Sequence, residues 1–240
     1  MLLALVPTML VIAEPDLGSG LVYVAAAFAV LYIAGVQARY LAAVLALGVA
    51  ALALVLIVGP ALGFHTYQAE RLTAFLDPSA VPSSDIKSAL YQQQNSLTAI
   101  GAGQKFGLGA VATSTAANFV PLNTTDFIFA ALAERFGFVG AAFVLSLYAL
   151  IIWRTLRIVA AAKNLFGALI AAGIVAMLAF QVFVNIGVAV DILPVTGVTL
   201  PLLSYGGSSV LTTFLALGLL QSIYAQARIA AGSKGRVLSF

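Results

Sequence analysis

Residues 41 to 62 read LAAVLALGVAALALVLIVGPAL, with no charged side chain. At about 1.5 Å of rise per helical residue, such a run can cross a hydrocarbon layer of roughly 30 Å. In lipid only a helix or a closed barrel satisfies every backbone N–H and C=O. Comparable apolar runs recur at about 1–13, 17–38, 127–153, 165–190 and 207–228, and the short alternating segments of a barrel are absent. The chain is therefore expected to be an all-α polytopic membrane protein, a single transmembrane domain over 1–240. It should have about six transmembrane helices and one large extracytoplasmic loop at 63–126. Composition agrees: 62% of residues are hydrophobic and 8% charged, where a soluble domain carries roughly 25% charged residues.

Several function classes fall away. The chain has no cysteine, which removes disulfide frameworks and thiolate metal sites, and its one histidine, His65, argues against a histidine-based metal centre. The opening MLLALVPTMLVIA has neither a basic flank nor an A-x-A-like cleavage site after it, so it reads as a short first helix rather than a signal peptide. The net charge is +3, but the basic residues are scattered along the chain, and nucleic acid is not indicated. The glycines of GAGQKFGLG, 101–109, resemble a phosphate loop only superficially. No strand precedes them and no helix with a Walker lysine follows, so no nucleotide is expected.

Orientation follows from basic residues near short connections, which favour the cytoplasm. Arg39, then Arg154, Arg157 and Lys163, then Arg228, Lys234 and Arg236 all fall on one side. The other side holds EPDLG at 14–18, the long loop, and 191–206, which lacks lysine and arginine. Both termini are thus expected in the cytoplasm, with the loop and Asp126 outside. Within the loop, SSDIKSALYQQQNSLTAIGAG offers Ser83, Ser84 or Asp85 as an N-cap, apolar Ile86, Leu90, Leu97 and Ile100, and Gly101 and Gly103 as a stop, which predicts a helix. A second short amphipathic piece is expected at 68–78, ended by Pro78.

The charged residues of the outer side are the candidate site. Asp126 directly precedes FIFAAL, where capping a helix is its commonest role and acting as a base at a membrane cavity is the functional one. Glu134 and Arg135, among apolar neighbours, form either a charge-neutral pair or part of a polar cavity lining. Glu14 and Asp16 read first as helix caps, Asp191 as a helix end and His65 as an inert loop residue. Arg71 and Lys105 are the outward cations best placed to meet an anionic head group, with a solvated loop charge as the alternative. The string LPVTGVTLPLLSYGGSS, 193–209, holds two prolines and three glycines between apolar helices. It implies a broken or re-entrant backbone, tolerated only where protein or a water-filled cavity replaces lipid. An outward cavity wall follows, with Ser204, Gly206, Gly207 and Ser208 as candidate substrate contacts.

Taken together, EPDLGSG (14–20), RLTAFLDP (71–78), YQQQNSLTAIGAGQKFGLG (91–109), TDFIFAALAERFGFVG (125–140), VNIG (184–187) and LPVTGVTLPLLSYGGSS (193–209) resemble the SEDS family (shape, elongation, division and sporulation) of RodA/FtsW-type bacterial membrane proteins. The resemblance implies a glycosyltransferase of the bacterial cytoplasmic membrane that polymerises lipid II, the undecaprenyl-diphosphate-linked precursor, on the outer face. It also implies a class B penicillin-binding transpeptidase as partner and an essential acid in the T-D-F pattern, which lands on Asp126. A sugar hydroxyl attacking an anomeric carbon needs a base, and the departing diphosphate needs positive charge from side chains such as Arg71 and Lys105 or from a divalent cation, magnesium or manganese. The chain departs from the family pattern at Leu122 and Thr124, where an acid and a histidine are usual, and at Arg135, where a second acid is common. Its start corresponds to about the family's fifth helix. A lipid-linked precursor transporter and a non-catalytic scaffold of the wall machinery are the alternatives.

Overall fold

The computed structural model describes residues 17–58, 84–109 and 126–237. The regular elements among them are helices: α1 Leu17–Ile33, α2 Ala38–Val58, α3 Ser84–Gly103, α4 Ile128–Ala161, α5 Leu165–Ala189 and α6 Gly207–Val237. Helices α4, α5 and α6 are long and apolar enough to cross a membrane, and α1 and α2 contribute shorter apolar stretches. The expected span at 1–13 and the piece at 68–78 lie outside the described residues, as do Glu14, Asp16, His65, Arg71, Leu122 and Thr124.

The expected helix over 17–38 ends earlier, at Ile33, and the reason is Gly35. With φ +90° it takes the left-handed conformation that closes a helix. Its N–H donates to the Tyr32 carbonyl (3.1 Å) and the Val36 N–H to the Leu31 carbonyl (3.1 Å), the reciprocal pair of a Schellman stop. Arg39, expected between helices, therefore lies in the first turn of α2. At the start of α5, Asn164 accepts the Gly167 N–H on its side-chain oxygen (2.9 Å), which caps the helix where the apolar run predicts it.

Helix α5 is the axis of the packing, with α1 against one flank and α4 against another, while α3 lies on α4 and reaches the end of α5. Small residues permit this closeness: Ala171, Ala172 and Gly167 are buried on α5, and a side chain at Gly173 would press on Val30 of α1. One core joins Phe129, Ala133, Ala141 and Tyr148 of α4 to Val182, Ala189 and Leu200, and a second joins Val22, Phe127, Val184, Val188 and Val198. Phe143, Leu147 and Leu150 on α4 and Leu211, Phe214 and Leu215 on α6 face outward. Apolar side chains on the outer surface as well as in the core are what a membrane-embedded helix requires.

Candidate active site

Between α5 and α6 the chain runs through 190–206 without helix, as its prolines and glycines predict. Val198, Leu200, Pro201 and Ser204 in this segment are nevertheless buried, so its backbone groups need partners inside the protein. Polar side chains from three helices supply partners to this segment and to the last turn of α5 that leads into it. Gln93 of α3 donates its amide to the carbonyls of Leu193 (2.8 Å) and Val188 (3.2 Å). Ser96 donates to Ala189 (2.9 Å), Asn185 of α5 to Val198 (2.8 Å), and Tyr148 of α4 to Pro201 (2.5 Å). Ser204 closes its own turn, its hydroxyl accepting the Leu200 N–H at 2.8 Å and its N–H donating back to the Leu200 carbonyl at 2.9 Å. Leu202, inside that turn, is held at φ +68°, a strained conformation for a branched side chain.

Asp126 sits where this segment meets α4. The helix starts at Ile128 with Phe127 in the cap position and no side-chain cap bond there, so Asp126, expected as the cap, stands one residue outside it. Two contacts fix it. Its carbonyl accepts a second hydrogen bond from the same Asn185 amide, at 2.8 Å, and Phe127, 1% exposed, is packed with Val22, Val184, Val188 and Val198. One buried amide thus ties the aspartate's turn to the re-entrant segment. The Asp126 residue itself remains half-buried.

Helix α4, expected as one continuous run, breaks at Gly137 (φ +66°, ψ −167°). The glycines of GAGQKFGLG explain the break. Phe138 and Val139, which lose helical acceptors there, donate to the carbonyls of Gln104 (2.8 Å) and Lys105 (3.1 Å), and the Leu108 N–H donates to the Glu134 carbonyl (3.0 Å). Gly107 (φ +81°) and Gly137 meet back to back: a Cβ on either would strike the other's backbone strand. The glycine run acts as a backbone clasp on α4.

This clasp places Lys105, exposed, beside Arg135, also exposed, and roughly 16 Å of helical rise beyond Asp126. Glu134 is 1% exposed, whereas Arg135 is exposed, with its guanidinium 6.0 Å from the Phe136 ring. Ser208 lines a cavity of about 920 Å³ between α1, α5, α6 and the re-entrant segment. Its wall carries Ser209, Thr212 and Thr199 toward one end and Val30, Leu169 and Ile170 toward the other. Gly206 is half-buried with its carbonyl accepting the Val210 N–H (3.0 Å), and Gly207 is the exposed first residue of α6. The structure therefore joins Asp126 to the segment bearing Ser204, Gly206, Gly207 and Ser208, and joins Lys105 to the stretch after Glu134. Among the described residues no three His, Asp or Glu side chains converge, so they offer no protein cage for a divalent cation.

Sequence reading passed over Asn185 and Gln93 as residues in their own right. The signal for Asn185 was present, since an amide inside the apolar run 165–190 has to find polar partners. Gln93, one of three consecutive glutamines, had none.

Comparison with known proteins covers nearly the whole chain. The FtsW/RodA/SpoVE family model, described as cell cycle protein, matches residues 1–229. Stage V sporulation protein E of Bacillus subtilis is 35% identical over 215 residues, 90% of this chain and 56% of that protein. Peptidoglycan glycosyltransferase MrdB of Escherichia coli is 40% identical over 228 residues, 93% of this chain and 59% of that one. A chain in a structure of a peptidoglycan synthase complex, described as coordinating polymerization and crosslinking, matches with TM-score 0.73 and 35% identity over 94% of this chain and 60% of its own. The rod shape determining protein RodA of Thermus thermophilus matches with TM-score 0.60 and 32% identity, covering 94% of this chain and 55% of that one. The chain spans a little over half the length of these relatives.

Proposed function

The chain belongs to the FtsW/RodA/SpoVE family, and on that premise we propose that it carries the base-bearing part of a peptidoglycan glycosyltransferase that polymerises lipid II at the outer face of the bacterial cytoplasmic membrane. In this reading the Asp126 carboxylate takes the proton of the acceptor sugar's hydroxyl. The hydroxyl oxygen then bonds to the donor's anomeric carbon as the bond from that carbon to the diphosphate oxygen breaks, and the lipid diphosphate leaves with the electron pair. Lys105 and Arg71 are the cations assigned to the diphosphate, and Arg135, beside Lys105, adds to that positive region. Attacking hydroxyl and departing diphosphate meet at one anomeric carbon, so the long side chains of Lys105 and Arg135 have to reach back along the roughly 16 Å of helical rise toward Asp126.

The observation that carries the reading is the Asn185 amide, which bonds Asp126 and Val198 together at 2.8 Å each. Three strings far apart in the chain, TDF, VNIG and LPVTGVTLP, thereby form one rigid seam, the preorganisation a proton-transferring carboxylate needs. The orientation with Asp126 outside and both termini in the cytoplasm belongs to the same proposal, as does a class B penicillin-binding transpeptidase as partner. The latter is supported by the likeness to a chain of a synthase complex. The test is polymerisation of labelled lipid II by the whole protein. Asp126→Asn should abolish polymer while leaving expression and membrane insertion intact, and unchanged polymer would refute the assigned base.

A second reading, transport of the lipid-linked precursor, is favoured by the cavity along α1 and α5, polar at one end and apolar at the other. It would move labelled lipid II across a vesicle bilayer without making polymer, and Asp126→Asn would leave that movement intact.

A further inference from the structure

Basic residues that are scattered along the chain come together at one end of the bundle. The late part of α1 faces the start of α5, since Val30 and Phe166 line one cavity wall, and Ile223 of α6 lies near Gly167. The α1–α2 turn, the α4–α5 turn and the late part of α6 therefore share an end, where Arg39, Arg154, Arg157, Lys163 and Arg228 are all exposed. The carboxylates of the described residues belong elsewhere. Glu134 precedes Arg154 by roughly 30 Å of helical rise, with Asp126 further still, and Asp191 follows the far end of α5, about 36 Å from its start. Asp85 is on α3, which is hydrogen-bonded to that same far end.

Four arginines at this end lie over aromatic rings: Arg39 at 4.9 Å from the Tyr40 centroid, Arg228 at 5.6 Å from Tyr224, and both Arg157 at 4.1 Å and Arg154 at 5.6 Å from Trp153. Stacking of this kind holds a guanidinium at the boundary between apolar surface and water. Neutralising the negative end of α4 does not account for the group on α4, because its last turn holds no basic residue and the dipole's effect fades within one turn. Two guanidiniums share one ring and Lys163 follows just past the helix, so this face concentrates positive charge that an anion would complement. The surface beside them is hydrocarbon-facing, with Leu150 and Leu156 exposed next to Trp153.

We propose that Trp153, Arg154, Arg157 and Lys163 form a binding site for the phosphate of an anionic phospholipid, whose acyl chain lies along Leu150 and Leu156. The site is at the opposite end of the protein from Asp126 and does not depend on the glycosyltransferase reading. A phosphate bearing hydrocarbon fits it better than phosphate from solution, because cations and tail-facing side chains alternate on the same helix surface.

Trp153 is the single tryptophan of the chain, so its fluorescence reports on this site alone. The protein is reconstituted in phosphatidylcholine vesicles carrying equal mole fractions of either doxyl-labelled phosphatidylglycerol or doxyl-labelled phosphatidylcholine. The site requires quenching that corresponds to an enrichment of the anionic lipid of about fivefold or more. Arg154→Gln/Arg157→Gln should bring the two lipids to equal quenching, and excess inorganic phosphate should leave the wild-type preference in place. Equal quenching in the wild type, or a preference that survives the double substitution, would overturn the site. A preference abolished by inorganic phosphate would overturn the lipid as its occupant.

Discussion

Replacing Asn185 with leucine tests the seam that fixes Asp126. The side chain is 1% exposed, and its amide is the donor to the carbonyls of both Asp126 and Val198. Leucine has the same branched shape and is somewhat larger, so the change removes the donors without leaving a cavity. Each buried carbonyl deprived of its donor costs about 1–3 kcal/mol. Against this, the Asn185 side-chain oxygen is buried without a hydrogen-bond partner, and its removal returns about 1–2 kcal/mol. Taking about 2 kcal/mol for each carbonyl and about 1.5 kcal/mol returned, the net loss is about 2.5 kcal/mol, read as a lower thermal midpoint of the purified protein in detergent. Polymerisation should fall by more than the folded fraction does, since the carboxylate's turn is released. Asn185→Asp should be worse than leucine on both readouts, because it turns a carboxylate toward two carbonyl oxygens. A wild-type midpoint and wild-type polymer yield for Asn185→Leu would refute the reasoning, as would an aspartate variant more stable than the leucine one.

The other expectations follow the same physics. Gly137→Ala and Gly107→Ala each place a methyl group against the opposing backbone at positive φ, and each should cost about 2 kcal/mol or more; combined, they should cost less than the sum, because one clasp is lost only once. Gln93→Leu, which leaves the Leu193 carbonyl without its side-chain donor and the Val188 carbonyl with only its backbone partners, should lower stability by about 2 kcal/mol and raise amide exchange in α3 above that elsewhere. Tyr148→Phe should cost about 1–2 kcal/mol through the lost Pro201 hydrogen bond, measured as a thermal shift.

What the sequence disclosed divides along physical lines. Apolar runs locate α4, α5 and α6 because burial in lipid is a property of many residues at once, and α3 was readable from its caps and its glycine stop. The break at Gly137 was not, since a glycine inside an apolar run looks the same whether it is tolerated or required; only the opposing Gly107 reveals the requirement. The end of α1 was misjudged by about five residues because Gly35 stops a helix through its conformation, while the apolar pattern continues beyond it. Asp126 stood out by its charge, but its mooring did not, because hydrogen bonds to Asn185 join residues 59 apart in the chain. The basic residues were readable as belonging to one side of the membrane, but the sharing of Trp153 by Arg154 and Arg157 was not.

The central claim is that Asp126 stands wet at the outer lip of the bundle. These 240 residues hold no cysteine, so Asp126→Cys adds a thiol whose labelling is read against the unsubstituted protein, and a membrane-impermeant maleimide can reach it in intact spheroplasts only from outside. The account requires rapid labelling there without permeabilisation, and labelling that appears only after the membrane is opened would contradict it.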